Sequence, residues 1–162
     1  MSQKNPTTLD VESVKSEMDR TMSATRILNA PRDLVWKVLT DPDHIKHWWG
    51  PNGFSLTTHE HEMRIGGQWN FTMHGPEGTN FVNEMVYDEI VKPERIVLSH
   101  GPFPKFQMHI ELIDRGDKTE LRWKNVFEDD QEFKQAVEVY HAVEGLDQNL
   151  DRLAQYVKEH NA

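Results

Sequence analysis

The stretch Asn29 to Phe54, N-A-P-R-D-L-V-W-K-V-L-T-D-P-D-H-I-K-H-W-W-G-P-N-G-F, decides the fold. Two short helices are written in it. Pro31 and Pro42 each suit a first helical position, where a missing N–H costs nothing and φ is already set, and Asp41 offers a capping oxygen to the second helix. Leu34, Val35, Val38 and Leu39 make one apolar stripe on the first. The second ends on the adjacent pair Trp48-Trp49, after which Gly50-Pro51 turns the chain toward a strand.

Outward from this kinked pair the pattern changes from a period near 3.6 to alternation. Met22 to Leu28 reads as a strand before it. Phe54 to Met63, Gln68 to His74, Asn80 to Val91, Ile96 to His100, Phe106 to Asp114 and Thr119 to Phe127 read as six more after it. Turns fall at Gly66-Gly67, Gly75-Pro76-Glu77-Gly78, Lys92-Pro93-Glu94 and Arg115-Gly116-Asp117. The final element opens at Asp129-Asp130-Gln131-Glu132, which reads as a capping box with Asp as the cap. Ala136, Val139, Val143, Leu146, Leu150, Leu153 and Val157 then recur at spacings of three and four, predicting one long helix whose stripe faces the sheet. Gly145 interrupts it at about 1 kcal/mol relative to Ala, which predicts a kink or a close approach of another backbone. Residues 1–19 are polar, with Leu9, Val11, Val14 and Met18 at a weak helical spacing, and read as an N-terminal extension to a single domain over residues 20–160.

The ordered motifs A-P-R-D-L-V-W, T-D-P, W-W-G-P, R-I-G-G and H-A-V-E-G-L-D-Q-N-L-D-R-L resemble the START-like (SRPBCC) superfamily, and within it the proteins related to the activator of Hsp90 ATPase. The resemblance spans roughly residues 20–158. It implies an α+β helix-grip fold, with a curved antiparallel sheet of about seven strands wrapped on a long C-terminal helix and a cavity for an apolar ligand between them. His141 matches the His of the family's helix motif. Some proteins of this fold are enzymes acting on polyketide-like substrates, and the relatives that activate Hsp90 are protein-interaction modules. The chain lacks the extra N-terminal domain of the eukaryotic co-chaperone, which weighs against an Hsp90-type chaperone as partner.

Composition narrows the classes further. The 162 residues suit one domain, and 27 acidic against 18 basic side chains give a formal charge of -9 with no Lys/Arg cluster, so nucleic acid is not an expected partner. With no Cys there is no disulfide, thiolate nucleophile or Cys-based zinc site. Neither a signal-peptide core nor a run of about 18 apolar residues is present, so a cytoplasmic protein with no membrane partner is expected.

On alternation, Trp69, Phe71 and Met73 share one strand face, as do Phe106, Met108, Ile110 and Leu112 on another and Leu121, Trp123 and Phe127 on a third. These faces meet the long helix. Either they fill an ordinary core, or, with Trp48, Trp49 and Phe54 near the mouth and Leu146 opposite, they line a site for a flat or flexible apolar molecule. A dry cavity costs about 24 cal/mol per Å³, so a void of roughly 300 Å³ forfeits several kcal/mol of a total near 5–15 kcal/mol and argues for an occupant.

The nine His are the remaining candidates for chemistry. His100 ends an apolar strand and, with His141, offers a polar contact in the pocket. His59 and His61 flank Glu60 as a two-ligand clip without a third ligand, so no metal is expected. His44 and His47 read as solvated, and His109 as outward-facing. Glu84, Glu62 and Arg64 form either a buried charge pair or ordinary surface positions. No catalytic motif is present: there is no G-x-S-x-G, H-E-x-x-H, phosphate-binding loop or dinucleotide-binding glycine pattern. The favoured reading is a non-enzymatic binder of a small apolar molecule, without a cofactor and compatible with a homodimer. An acid–base enzyme using His100, His141 or Glu84 and a protein-interaction module are the alternatives.

Overall fold

A computed structural model describes residues 17–161. Seven strands form one antiparallel sheet: β1 (Thr21–Leu28), β2 (Ser55–His61), β3 (Gln68–His74), β4 (Asn80–Val91), β5 (Arg95–Gly101), β6 (Phe106–Arg115) and β7 (Lys118–Phe127), in the order β1-β7-β6-β5-β4-β3-β2. From β2 onward each strand pairs with its sequence neighbour through a short turn, and only β1 pairs out of sequence, running against β7 in the register Thr21 to Val126 through Leu28 to Thr119. The reason lies in the two helices after β1, α1 (Arg32–Thr40) and α2 (Pro42–Ile45), which carry the chain across to the far edge before β2 begins. Most of the proposed extension, residues 1–16, lies outside the described residues; residues 17–19 are helical and lead into β1.

Local chemistry accounts for both short helices. Pro31 is the extended cap of α1, and Asp41 caps α2 by accepting the Asp43 N–H, with Pro42 at its first position. Val35, Trp36, Val38 and Leu39 of α1 and Ile45 of α2 are buried. The Trp48 indole N–H donates to the Val38 carbonyl at 3.1 Å, so the Trp pair is anchored to the helix before it.

The last element differs from the single helix expected. It is two helices, α3 (Asp130–Glu138) and α4 (Ala142–His160), separated by His141 in the left-handed conformation at φ 52°, ψ 46°. Asp129 caps α3 by accepting from the Gln131 and Glu132 N–H groups. The break shifts the phase of the apolar stripe: Ala136 and then Leu146, Leu150, Leu153 and Val157 are buried, whereas Val139 and Val143 are exposed. A period of 3.6 runs through the sequence here without reporting one left-handed residue, because a single dihedral change redirects the axis and leaves the spacing unaltered. Gly145 makes its close approach to a proline ring, since a Cβ there would stand 3.3 Å from Pro51 Cγ.

The core lies between the inner sheet face and the helices. β7 shows the alternation most plainly, with Thr119, Leu121, Trp123, Asn125 and Phe127 buried. Arg26 on β1 reaches Asp147 on α4 at 3.0 Å, an exposed pair worth little, so the docking of α4 rests on its buried leucines.

Candidate functional site: an apolar cavity under the C-terminal helix

A cavity of about 270 Å³ lies between the inner sheet face and α4. Its floor is Met22 of β1, Met73 of β3, Phe106 and Met108 of β6, and Trp123, Asn125 and Phe127 of β7. The roof is Leu146, Asn149 and the bare backbone of Gly145 on α4, with Ala136 on α3. Tyr140 and Ala142 border it at the α3–α4 break, so the left-handed step at His141 shapes its rim. Trp49, Gly50 and Pro51 close the side opposite.

That last wall is held by α4. Asn149 Oδ1 accepts the Gly50 N–H at 2.9 Å, and Gln148 Oε1 accepts the Asn52 N–H at 3.1 Å. The Arg152 guanidinium donates to the carbonyls of Gly50 at 2.9 Å and Pro51 at 3.0 Å. Three side chains within two turns thus satisfy the backbone groups of a loop that has no ladder of its own. The sequence W-W-G-P-N carries the turn, and α4 supplies its partners.

Of the residues expected to form a ligand site, Trp49, Met73, Met108, Trp123 and Leu146 border the cavity. Trp48, Trp69 and Phe71 stand behind Trp49 as a packed aromatic wall, with Trp49 4.8 Å from Trp69 and Trp69 stacked on Phe71 at 4.2 Å between centroids. Phe54 packs near Phe81, 6.0 Å away. His141 is exposed beyond the rim.

His100 is buried, and both ring nitrogens are engaged: Nδ1 with the Pro104 carbonyl at 2.8 Å and Nε2 with Asn83 Oδ1 at 2.5 Å. Its ring stacks on Phe106 at 4.4 Å. Burial pulls its pKa below the ordinary imidazole value, against the Pro104 hydrogen bond, which raises it.

The other ionisable candidates lie apart from the cavity. His61 and the Tyr87 hydroxyl meet at 2.5 Å. Burial lowers the pKa of His61, with Asp41 opposing, and raises that of Tyr87. His59 instead faces Thr72, because a register shift between Thr58 and Glu60 separates the two rings. Among the described residues no three metal-ligating side chains cluster. His44 meets the Tyr156 hydroxyl at 2.6 Å and His47 stacks on the same ring, so neither is simply solvated. Half-buried His109 contacts Gln107. Glu62 pairs with Arg64 at the surface, and Glu84 is exposed on the outer sheet face.

A wider depression of about 650 Å³ lies on that outer face, and besides outward side chains the buried Met85, His100 and Phe127 border it. Arg20, Lys105, Glu84 and Glu128 give it mixed charge and Gln68, Asn70 and Gln107 a polar floor, so it lacks the chemistry of an apolar ligand site.

Phe106 and Phe127, inward-facing on alternation, also border the cavity, and the residues missed from the sequence include Met22, Asn125 and Asn149. The two Asn carried a readable signal. Asn125 alternates with Trp123 and Phe127 on an inward face, and Asn149 adjoins Leu150 and follows Leu146 by three residues on the buried stripe; a carboxamide in either place needs a polar reason.

The family described as Activator of Hsp90 ATPase homolog 1-like protein matches residues 29–158. The chain belongs to this family. Solved structures similar to this Hsp90-activator-like chain include a protein from Arthrobacter aurescens, 20% identical over 88% of each chain with a TM-score of 0.82. Another, from Nitrosomonas europaea, is 23% identical over 87% of this chain and 96% of its own, with a TM-score of 0.78. DynU16, of the dynemicin biosynthetic locus, is 19% identical over 86% of this chain and 47% of its own, with a TM-score of 0.65. At such identities the likeness shows the helix-grip fold alone. No curated protein matches significantly. No helix among the described residues is long and apolar enough to cross a membrane.

Proposed function

We propose that the protein binds a small hydrophobic or aromatic molecule in the cavity between the sheet and α4. The observation that carries this reading is the chemistry of the wall: among the described residues, Tyr140 on the rim is the one ionisable side chain that lines it. Apolar surface transferred into such a space gains about 25 cal/mol per Å², without a charged group to desolvate.

Acid–base turnover needs a positioned proton donor or acceptor within hydrogen-bond reach of the substrate. A polyketide cyclase-like enzyme therefore has less support. His100 already spends both nitrogens on Pro104 and Asn83, His141 stands outside the rim, and Glu84 is on the other sheet face. The reading is compatible with a cytoplasmic homodimer and takes a small molecule rather than an Hsp90-type chaperone as its partner.

A thermal-shift series with fatty acids, flavonoid-like aromatics, sterols and polyketide-like molecules tests it. A ligand of the native state stabilises by mass action, about 2.7 kcal/mol at a hundred times its Kd. A saturable rise in midpoint for one class is the expected result. A flat response to every class would remove the ligand reading and turn attention to protein partners.

A further inference from the structure

The polar groups of the cavity are one-sided. Asn125 and Asn149 are 7% and 8% exposed, and both border the void. The orientation of each carboxamide is decided by its neighbour. An indole N–H and a backbone N–H can only donate, so Asn125 Oδ1 faces Trp123 Nε1 at 3.1 Å, and Asn149 Oδ1 faces the Gly50 N–H at 2.9 Å.

Each Nδ2 therefore points away from that contact, and neither has a protein partner among the described residues. Both residues line the cavity, so these NH₂ groups are the donors that its described wall offers to a ligand. Each brings two N–H donors, while its oxygen already takes an internal donor.

We propose that the cavity selects flat, neutral molecules bearing carbonyl hydrogen-bond acceptors, the chemical class of naphthoquinones and aryl ketones, with Asn125 and Asn149 as the specificity-determining residues. This rests on the reading of the cavity as a ligand site. The two carboxamides stand on opposite walls, one on β7 and one on α4, so a ligand between them meets donors on two sides.

A plain hydrocarbon would strip water from both NH₂ groups and return no hydrogen bond. An ionised carboxylate would find no cation, since Arg152 spends its guanidinium on the Gly50 and Pro51 carbonyls. A phenol or alcohol can accept from one NH₂ group through its oxygen, but its own O–H then finds only carboxamide oxygens that already hold a donor. Trp49, Trp123, Phe106 and Phe127 supply faces for a flat ring system, and about 270 Å³ suits two or three fused rings better than a sterol.

Calorimetric titration of the full chain with four probes tests the inference: 2-methyl-1,4-naphthoquinone, 2-methylnaphthalene, 1-naphthol and 1-naphthoate. The absence of Cys leaves no thiol for the quinone to arylate. The quinone is expected to bind at least tenfold more tightly than the hydrocarbon or the naphthol, and the naphthoate most weakly. Asn125→Asp and Asn149→Asp keep the oxygen that serves Trp123 or Gly50 and remove the donors. At about pH 8, where the new carboxylates are ionised, each is expected to weaken the quinone at least tenfold more than it weakens 2-methylnaphthalene, since the cost of the added charge falls on both probes, and retained hydrocarbon binding reports that the fold is kept. Equal binding of quinone and hydrocarbon by the unaltered protein would overturn the selectivity and leave the cavity reading standing, whatever the variants do. Quinone binding unchanged in both variants would overturn the role of the two Asn. Failure of all four probes on the unaltered protein would overturn the cavity reading as well.

Discussion

Asn149 and Gly50 lie 99 positions apart in sequence and are joined by a 2.9 Å hydrogen bond from the Gly50 N–H to the Asn149 side-chain oxygen. That bond ties the C-terminal helix to the loop that carries Trp49. It makes the roof of the cavity and one of its side walls a single mechanical unit.

Removing that acceptor has a defined cost. Asn149→Ala leaves the buried Gly50 N–H without a partner and is expected to destabilise by about 1–3 kcal/mol. Urea unfolding of the variant measures the loss, and an unchanged midpoint would mean that the bond contributes nothing.

Trp48 is fully buried in the aromatic wall behind the cavity, with its indole N–H on the Val38 carbonyl. Trp48→Ala is expected to cost about 3–5 kcal/mol, as for truncation of a large side chain in a filled core. Trp123 is equally buried but faces the void on one side, so its truncation should cost less than that of Trp48. Chemical denaturation of both variants tests the order.

Gly67 admits no side chain. A Cβ there would stand 2.2 Å from the Glu62 carbonyl oxygen and 2.8 Å from that of Arg64, both backbone atoms that cannot turn aside. Gly67→Ala is expected to destabilise by about 1–3 kcal/mol through forced backbone movement. Gly145→Ala presses only on Pro51 Cγ, at 3.3 Å. The helix-propensity gain of about 1 kcal/mol should be offset while Pro51 is present and recovered in a Pro51→Ala background, which a double-mutant cycle reads directly.

Stability should fall as pH drops from about 7.5 toward 5.5. Burial lowers the folded-state pKa of His61, His100 and His109 from the ordinary value of 6.5. The unfolded chain then binds protons first as the pH falls, so the stabilising contribution is complete above about 6.5, declines below it, and levels off once the folded-state values are passed. The urea midpoint as a function of pH measures this. His100→Gln is expected to flatten the slope; an unchanged slope would take His100 out of the linkage.

The sequence by itself determined the sheet and the order of its elements. β3 and β4 coincide with the alternating runs Gln68–His74 and Asn80–Val91, and the start of α3 was legible in Asp129-Asp130-Gln131-Glu132. These are local properties: a cap bonds two or three residues away, and alternation needs only neighbours. The aromatic and Met-rich interior was legible for the same reason. Which of those side chains face a void was not. Trp49 borders the cavity while its neighbour Trp48 is sealed behind it, and the two differ in where a loop is held by Asn149 and Arg152, about a hundred residues on. Nor could periodicity foresee the left-handed step at His141 that divides α3 from α4 and opens the rim, because it leaves the spacing intact. Tertiary structure alone decided the direction of the two Asn donors, since a carboxamide's orientation is set by the partner its oxygen finds across the fold.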